Sequence, residues 1–271
     1  MITDTLQKEL RERYNPDGSI LRRHQLRMLE MLQFIDTVCK KHGIRYWLCS
    51  GTLLGAVRHG GFIPWDDDVD IEMLREDYVK FANALEEEKS SDYILQTHHT
   101  DFNYLAPYGK LRDLHSHIKE DNYNDLYYQY NGIYIDIFIL DPSSSLIVSK
   151  ISNYLQYFML FHMNRYLHNK IVRKIYFSIN YGLLDNFLFP LLRGVLRIRA
   201  RGQLRHTLGS CFNKPRYEDD IFPLSQMNFE GFAFPVPNNF DNYLSKIYGN
   251  YMSLPDLNKI RLHTTEVNFD C

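Results

Sequence analysis

In the run Asp68-Val69-Asp70-Ile71-Glu72 the carboxylates fall on alternate positions. Alternate side chains of a strand point to one face, so Asp68 and Asp70 are expected to converge. Two carboxylates held that close repel each other unless a cation or a shared proton intervenes. An all-oxygen pair suits a hard divalent ion, Mg²⁺ or Mn²⁺, with phosphate oxygens completing its shell. A third acid, Asp136, interrupts the apolar stretch Gly132 to Leu140, GIYIDIFIL. A lone carboxylate there is costly unless it is paired or bound to metal. The candidate catalytic and metal-binding set is therefore Asp68, Asp70 and Asp136. Asp136 either completes the metal site or accepts the proton of an attacking hydroxyl.

A second group suits phosphate. Ser50-Gly51 leads directly into a short helix, Gly51 to His59, whose free N–H groups can hold an anion, and Gly51 allows close backbone approach. Ser50, Gly51 and Thr52 are the candidate donor-binding residues at that end. Arg58 and His59 stand at the other end, where they meet donor or acceptor or complement the helix dipole. Lys110 and Arg112 lie two apart, on one face of a strand, as phosphate ligands or as surface ion pairs. Trp65 stacks on a base or sugar, or anchors its loop. Asp67 should face away from Asp68 and Asp70, and Asp66 precedes the strand; either is a ligand or a capping acid. His98 and His99 are expected to face solvent.

The elements that must position these groups follow from periodicity. Leu21 to His42 reads as an amphipathic helix, with Leu26, Leu29, Leu32, Ile35 and Cys39 on one stripe and Gly43 as its stop. Ile44 to Cys49 is a strand, and Gly60 to Pro64 connects the short helix to the acidic strand, Asp67 to Met73. A helix at Arg75 to Glu88 precedes strands at Tyr93 to Thr97, Leu105 to Arg112, Ser116 to Glu120 and Gly132 to Leu140. Ser143 to Arg205 reads as helical, broken by Pro190 and Gly194. A short hairpin, a turn with Pro235 and Pro237, and a helix from Phe240 to Tyr248 close the chain. The fold class is α/β (α+β): a nucleotidyltransferase-type mixed β-sheet core flanked by helices, with an inserted helical lobe. The expected division is a catalytic core over 1–142, a basic, aromatic-rich helical lobe over 143–212, and a C-terminal segment over 213–271 that packs back on the core.

At 271 residues, with 45% hydrophobic and 24% charged content, the chain has an ordinary globular composition. The net charge of −2 gives no pull toward nucleic acid, and no nucleic-acid partner is expected. Ten Lys or Arg and the single acid Asp185 fall between Lys150 and Arg205, making that segment +9 and the remainder −11. Such a lobe rests on a membrane surface or meets a lipid-linked glycan; the alternative is a solvated helical subdomain around its own core. The cysteines Cys39, Cys49, Cys211 and Cys271 lack metal-site spacing, and the N-terminus lacks the apolar core of a signal peptide. The expected location is the cytoplasm, at the inner face of the membrane if the basic lobe touches lipid.

SGTLLGAVRHGGFIPWDDDVDI resembles the hallmark of the LicD family, phosphotransferases that move phosphorylcholine or related groups onto glycans. YIDIFILD resembles the following acidic strand of that family. FEGFAFPVPNNFDNYLSKIYGNYM, with Arg261 and His263 after it, resembles its C-terminal segment. Fukutin-type ribitol-phosphate transferases share the core motif. The resemblance implies Mg²⁺-dependent transfer of a phospho-alcohol from a CDP-linked donor to a hydroxyl of a cell-surface glycan or lipid-linked glycan, releasing CMP. The metal site alone does not distinguish this from nucleotidyl transfer to a small molecule or protein. A non-catalytic glycan- or nucleotide-binding descendant of the fold is the third reading.

Overall fold

The computed structural model describes residues 2–120, 127–257, 260 and 264–269. Arg261 and His263 lie outside the described residues. In chain order the helices are α1 (Asp4–Tyr14), α2 (Ile20–His42), α3 (Ser50–His59), α4 (Arg75–Glu88), α5 (Leu146–Gln156), α6 (Lys170–Leu183), α7 (Phe189–Arg197), α8 (Glu218–Ile221) and α9 (Phe240–Tyr248). The strands are β1 (Trp47–Leu48), β2 (Asp70–Leu74), β3 (Tyr93–Gln96), β4 (Gly109–Asp113), β5 (His117–Glu120), β6 (Tyr134–Pro142), β7 (Gln203–His206), β8 (Arg216–Tyr217), β9 (Ser225–Phe229), β10 (Phe232–Val236) and β11 (Thr264–Asn268).

The central sheet runs β1-β2-β6-β4-β3, with β7 and β8 added beside the far end of β6. Among the described residues only β2 and β6 pair in parallel, so the sheet is mixed, as the α+β expectation required. β6 is the pivot: β2 lies along it in parallel, β4 pairs with its first half, and β7 with Leu140 to Pro142. Its alternation decides the layers. Ile135, Ile137 and Leu111 belong to the main core with α2 residues such as Leu32 and Ile35 and with Phe81 of α4. Tyr134, Asp136 and Phe138 occupy the opposite face.

Local signals set the helix ends. Ser19 caps α2 by accepting the Arg22 N–H, and Gly43 ends it at φ 64, a left-handed conformation that glycine adopts without penalty. Met28, Leu32, Ile35 and Cys39 form its inward stripe, whereas Leu26, expected on that stripe, is exposed.

The segment between β6 and β7 departs from its expected course. It is helical to Arg197, but Gln203–His206 is a strand, because Leu204, Arg205 and His206 pair with the end of β6. Pro190 and Gly194 do not break it: α6 runs through a π-helical turn, Leu184–Leu188, straight into α7. Proline removes one N–H and crowds a preceding carbonyl; the widened turn ahead of Pro190 accommodates both. The interruption falls instead just before α6, where the Asn169 side chain caps the new helix at the Ile171 and Val172 N–H groups. These helices have a core of their own, including Leu160, Phe177, Tyr181, Leu184 and Phe189. His98 is not turned to solvent; it stacks on Tyr181 at 4.2 Å, and burial beside His99 lowers its pKa to about 4.

Candidate active site

Asp70, Asp136 and Lys110 form one row across three strands. Asp70 pairs with Asp136 in the parallel β2–β6 register, and Lys110 stands opposite Asp136 on β4. Equal register puts their side chains on the same sheet face. Lys110 Nζ lies 3.0 Å from Asp136 Oδ1 and 3.2 Å above the Tyr134 ring centroid. The backbone locks the row in place. The Asp70 N–H donates to Thr52 Oγ1 at 2.8 Å, the Cys49 N–H to the Asp70 carbonyl at 3.2 Å, and the Asp136 N–H to the Val69 carbonyl at 2.9 Å. Thr52 thus fixes β2 to the first turn of α3.

α3 begins beside the acids. Its N-cap, Cys49, supplies no side-chain hydrogen bond, so the first N–H groups have no side-chain cap of the usual kind. Ser50 is held at φ 46, a left-handed conformation costing about 1 kcal/mol in a residue with a Cβ, and such strain gathers at functional sites. A Cβ on Gly51 would stand 3.0 Å from Asp66 Oδ2, so glycine is what admits that carboxyl to the helix end.

The acid cluster is larger than strand alternation implies, and Asp68 enters it differently. β2 starts at Asp70, not Asp67: its neighbour β1 spans only Trp47–Leu48 and pairs with Glu72 and Ile71, leaving residues 66–69 outside the ladder. Asp68 reaches the site from this loop. Its carboxyl hydrogen-bonds that of Asp66, and burial together with the Asp68 and Asp67 charges pushes Asp66 well above the usual carboxylate range. Asp70 is pushed up in the same way, first by burial and then by Asp68, Asp136 and Asp66, with Lys110 opposing. Asp66, left open as a capping acid, therefore belongs to the cluster.

Among the described residues no three His, Cys, Asp or Glu side chains form a ready-made metal cage. The donor set nevertheless fits Mg²⁺, which is commonly held by one or two carboxylates plus substrate phosphates. Asp70 and Asp136 are two adjacent all-oxygen donors whose repulsion a divalent cation would relieve.

The other candidates have different surroundings. Arg58 is buried and gives its Nη1 hydrogens to the carbonyls of Tyr251 and Ser253, at 3.2 and 3.1 Å; burial lowers its pKa. Arg112 is buried between the Gln96 side chain and the Gly132 carbonyl, both at 2.7 Å. Trp65 meets Tyr14 and His59 edge-on. All three hold the scaffold through these contacts. A cavity of about 650 Å³, lined by Arg75, Tyr78, His98, Asp185, Phe189 and Arg193 among others, lies apart from the acids.

Two supporting groups escaped sequence reasoning. Glu72 is fully buried and accepts hydrogen bonds from Trp47 Nε1 at 3.0 Å, Tyr243 OH at 2.6 Å and Arg216 Nε at 3.0 Å, with His206 Nε2 at 3.2 Å. Burial alone would raise its pKa; Arg216, His206 and Tyr243 together hold it at about 2. Glu230, in the turn between β9 and β10, pairs with Arg22 at 2.6 Å and accepts the Phe62 N–H at 3.1 Å, latching the Gly60-Gly61 loop. Its signal was the FEG of the C-terminal segment; Arg216 had none.

Residues 43–172 match the model of the LicD/FKTN/FKRP nucleotidyltransferase domain, the stretch that runs from before β1 into α6 and contains the whole acid cluster. Over that stretch the chain is similar to the LicD family. Over 256 residues it is 29% identical to lipopolysaccharide cholinephosphotransferase LicD of Haemophilus influenzae, covering 87% of this chain and 92% of that relative. It is 50% identical over 48 residues to the human ribitol 5-phosphate transferase FKRP, which is 18% of this chain and 10% of that one. With human ribitol-5-phosphate transferase FKTN it shares 32% identity over 84 residues, 31% of this chain and 16% of the relative. What the LicD family member from Haemophilus shares is thus nearly the full length, and the ribitol-phosphate transferases share a short core.

Proposed function

We propose that this transferase of phosphorus-containing groups moves phosphorylcholine, or a closely related phospho-alcohol, from a CDP-linked donor to a hydroxyl of a cell-surface glycan. The observation that carries the reading is the row of Asp70, Asp136 and Lys110 facing the end of α3. Donor phosphates would lie against the α3 N-terminus, with Asp70 and Asp136 available to hold Mg²⁺ or Mn²⁺. When bound, that cation supplies charge neutralisation on the phosphate oxygens. The glycan hydroxyl oxygen forms a bond to the phosphorus bearing the alcohol, the bond from that phosphorus to the bridging oxygen breaks, and CMP leaves with the electron pair. Asp68, partly exposed like Asp66 whereas Asp70 and Asp136 are buried, would take the hydroxyl proton. Lys110 offsets charge developing on the transferred group.

An aromatic floor continues the same face and supports a cationic alcohol. Phe138, two residues beyond Asp136, packs against Tyr108 at 4.7 Å and half-exposed Phe212 at 5.0 Å. A quaternary ammonium is held by such ring faces beside carboxylates. The test is product identification. The purified chain is incubated with Mg²⁺, lipopolysaccharide and either a CDP-linked alcohol or CTP with the free phospho-alcohol. CMP from the CDP donor supports the reading; pyrophosphate from CTP assigns the site to nucleotidyl transfer instead.

A further inference from the structure

The helices between β6 and β7 expose more apolar surface than their own core explains. On α6 the inward side carries Arg173, Phe177, Asn180 and Tyr181. The opposite side carries Ile171, Ile175, Ile179 and Leu183 at four-residue spacing, with Ile171 72% and Ile179 64% exposed. The π turn and α7 repeat this with Phe187, Leu191, Val195 and Ile198, the first 67% and the last 81% exposed. α5 and the π turn after it add Ile147, Ile151, Tyr154 and Phe158 at i, i+4, i+7 and i+11. Single exposed apolar residues are ordinary, but stripes on three connected helices mark an interaction surface.

The charges bordering these stripes name the partner. Lys170 and Lys174 lie one helical turn apart beside the α6 stripe, Lys150 beside that of α5, and Arg197 and Arg199 flank Ile198. All five are exposed, and none forms an ion pair among the described residues. Asp185, the sole acid of a segment that carries +9, is turned toward His98 at 3.6 Å. Long aliphatic side chains edged by unpaired Lys and Arg match the acyl boundary and the phosphates of an anionic bilayer. The core of a protein interface is instead depleted of Lys. No helix among the described residues is long and apolar enough to cross a membrane, so contact is in the plane of the surface.

We propose that the α5–α7 lobe docks on a membrane surface rich in anionic lipid, with the apolar stripes inserted at the headgroup–acyl boundary and the lysines and arginines on lipid phosphates. The attachment is independent of the reaction assigned to the acid cluster. The test is flotation of the purified full chain with vesicles of phosphatidylcholine alone or mixed with phosphatidylglycerol. The chain floats with the anionic vesicles, about tenfold less with neutral ones, and is released by high salt. K170Q/K174Q weakens binding about tenfold, and I175S/I179S abolishes it, both with unchanged circular dichroism and donor turnover. Absence of flotation, or equal flotation with neutral and anionic vesicles, overturns the proposal. So does light scattering that shows a stable dimer dissociated by I175S/I179S, which assigns the face to a second copy. The lysine positions are exposed, so K170Q/K174Q remains decisive if the isoleucine variant misfolds.

Discussion

Asp70 of β2 and Asp136 of β6 are direct partners in parallel register, so two carboxylates stand side by side on adjacent strands of one buried sheet face. Lys110 meets only one of them, holding Asp136 at 3.0 Å. The net repulsion falls on Asp70, whose pKa rises through burial and the charges of Asp68, Asp136 and Asp66, with Lys110 opposing.

That repulsion has a stability consequence with a defined sign. A carboxyl whose folded pKa is raised contributes stability below its unfolded value and loses it as pH rises through the folded value. At neutral pH without metal the charged cluster is therefore a cost. Asp70→Asn is expected to raise the Tm measured in chelator by about 2–4 °C, and the rise in Tm expected on adding Mg²⁺ to the parent chain should be absent in the variant. A lower Tm in calorimetry would contradict the assignment of strain to this pair.

Gly51 sits where a Cβ would approach Asp66 Oδ2 to 3.0 Å. Gly51→Ala should displace that carboxyl from the end of α3 and lower donor turnover about tenfold or more, since small misplacements in a reacting site cost heavily. Thermal stability should change little. Steady-state kinetics beside a melting curve separates the two effects, and a variant with parental kcat/KM would remove Asp66 from the site.

The Glu72 network is structural support for the acid row. Glu72→Ala leaves Arg216 buried without its carboxylate and should cost about 3–5 kcal/mol, read from urea unfolding. Because the Glu72 pKa is held near 2, its contribution is present above the unfolded value of 4.5 and is lost as pH falls toward 2. The acid limb of the stability curve should therefore flatten in Glu72→Gln. An unchanged acid limb would show that the network does not govern it.

Phe212 is the exposed edge of the aromatic floor. Phe212→Leu should raise KM for a choline donor about threefold to tenfold and leave an uncharged CDP-alcohol unaffected. Equal losses on both donors would mean that the ring only packs.

Much of this site is visible in the sequence because period and register act locally. Asp136 stands out as an acid among isoleucines, and the even–odd alternation of β6 puts Tyr134, Asp136 and Phe138 together, as found. Lys110 and Arg112 do share a face, yet only strand pairing decides that Lys110 meets Asp136 while Arg112 is consumed by Gln96 and Gly132. Asp68 joins the cluster as expected but from a loop, and alternation could not decide Asp66, because β1 is too short to pair with residues 66–69. Arg58 reads as a free cation from its helix, and only the return of the C-terminal segment supplies the two carbonyls that occupy it. Pro190 reads as a stop because a widened turn before it has no sequence signature.

The most direct test of the account follows the phosphorus. CDP-choline labelled in the phosphate that bears choline is incubated with lipopolysaccharide, Mg²⁺ and the chain, and the label is traced by chromatography. Labelled glycan and unlabelled CMP are expected, with transfer reduced at least about a hundredfold in Asp70→Asn and Asp136→Asn. Label recovered in a nucleotide product, or full transfer by either variant, would contradict it.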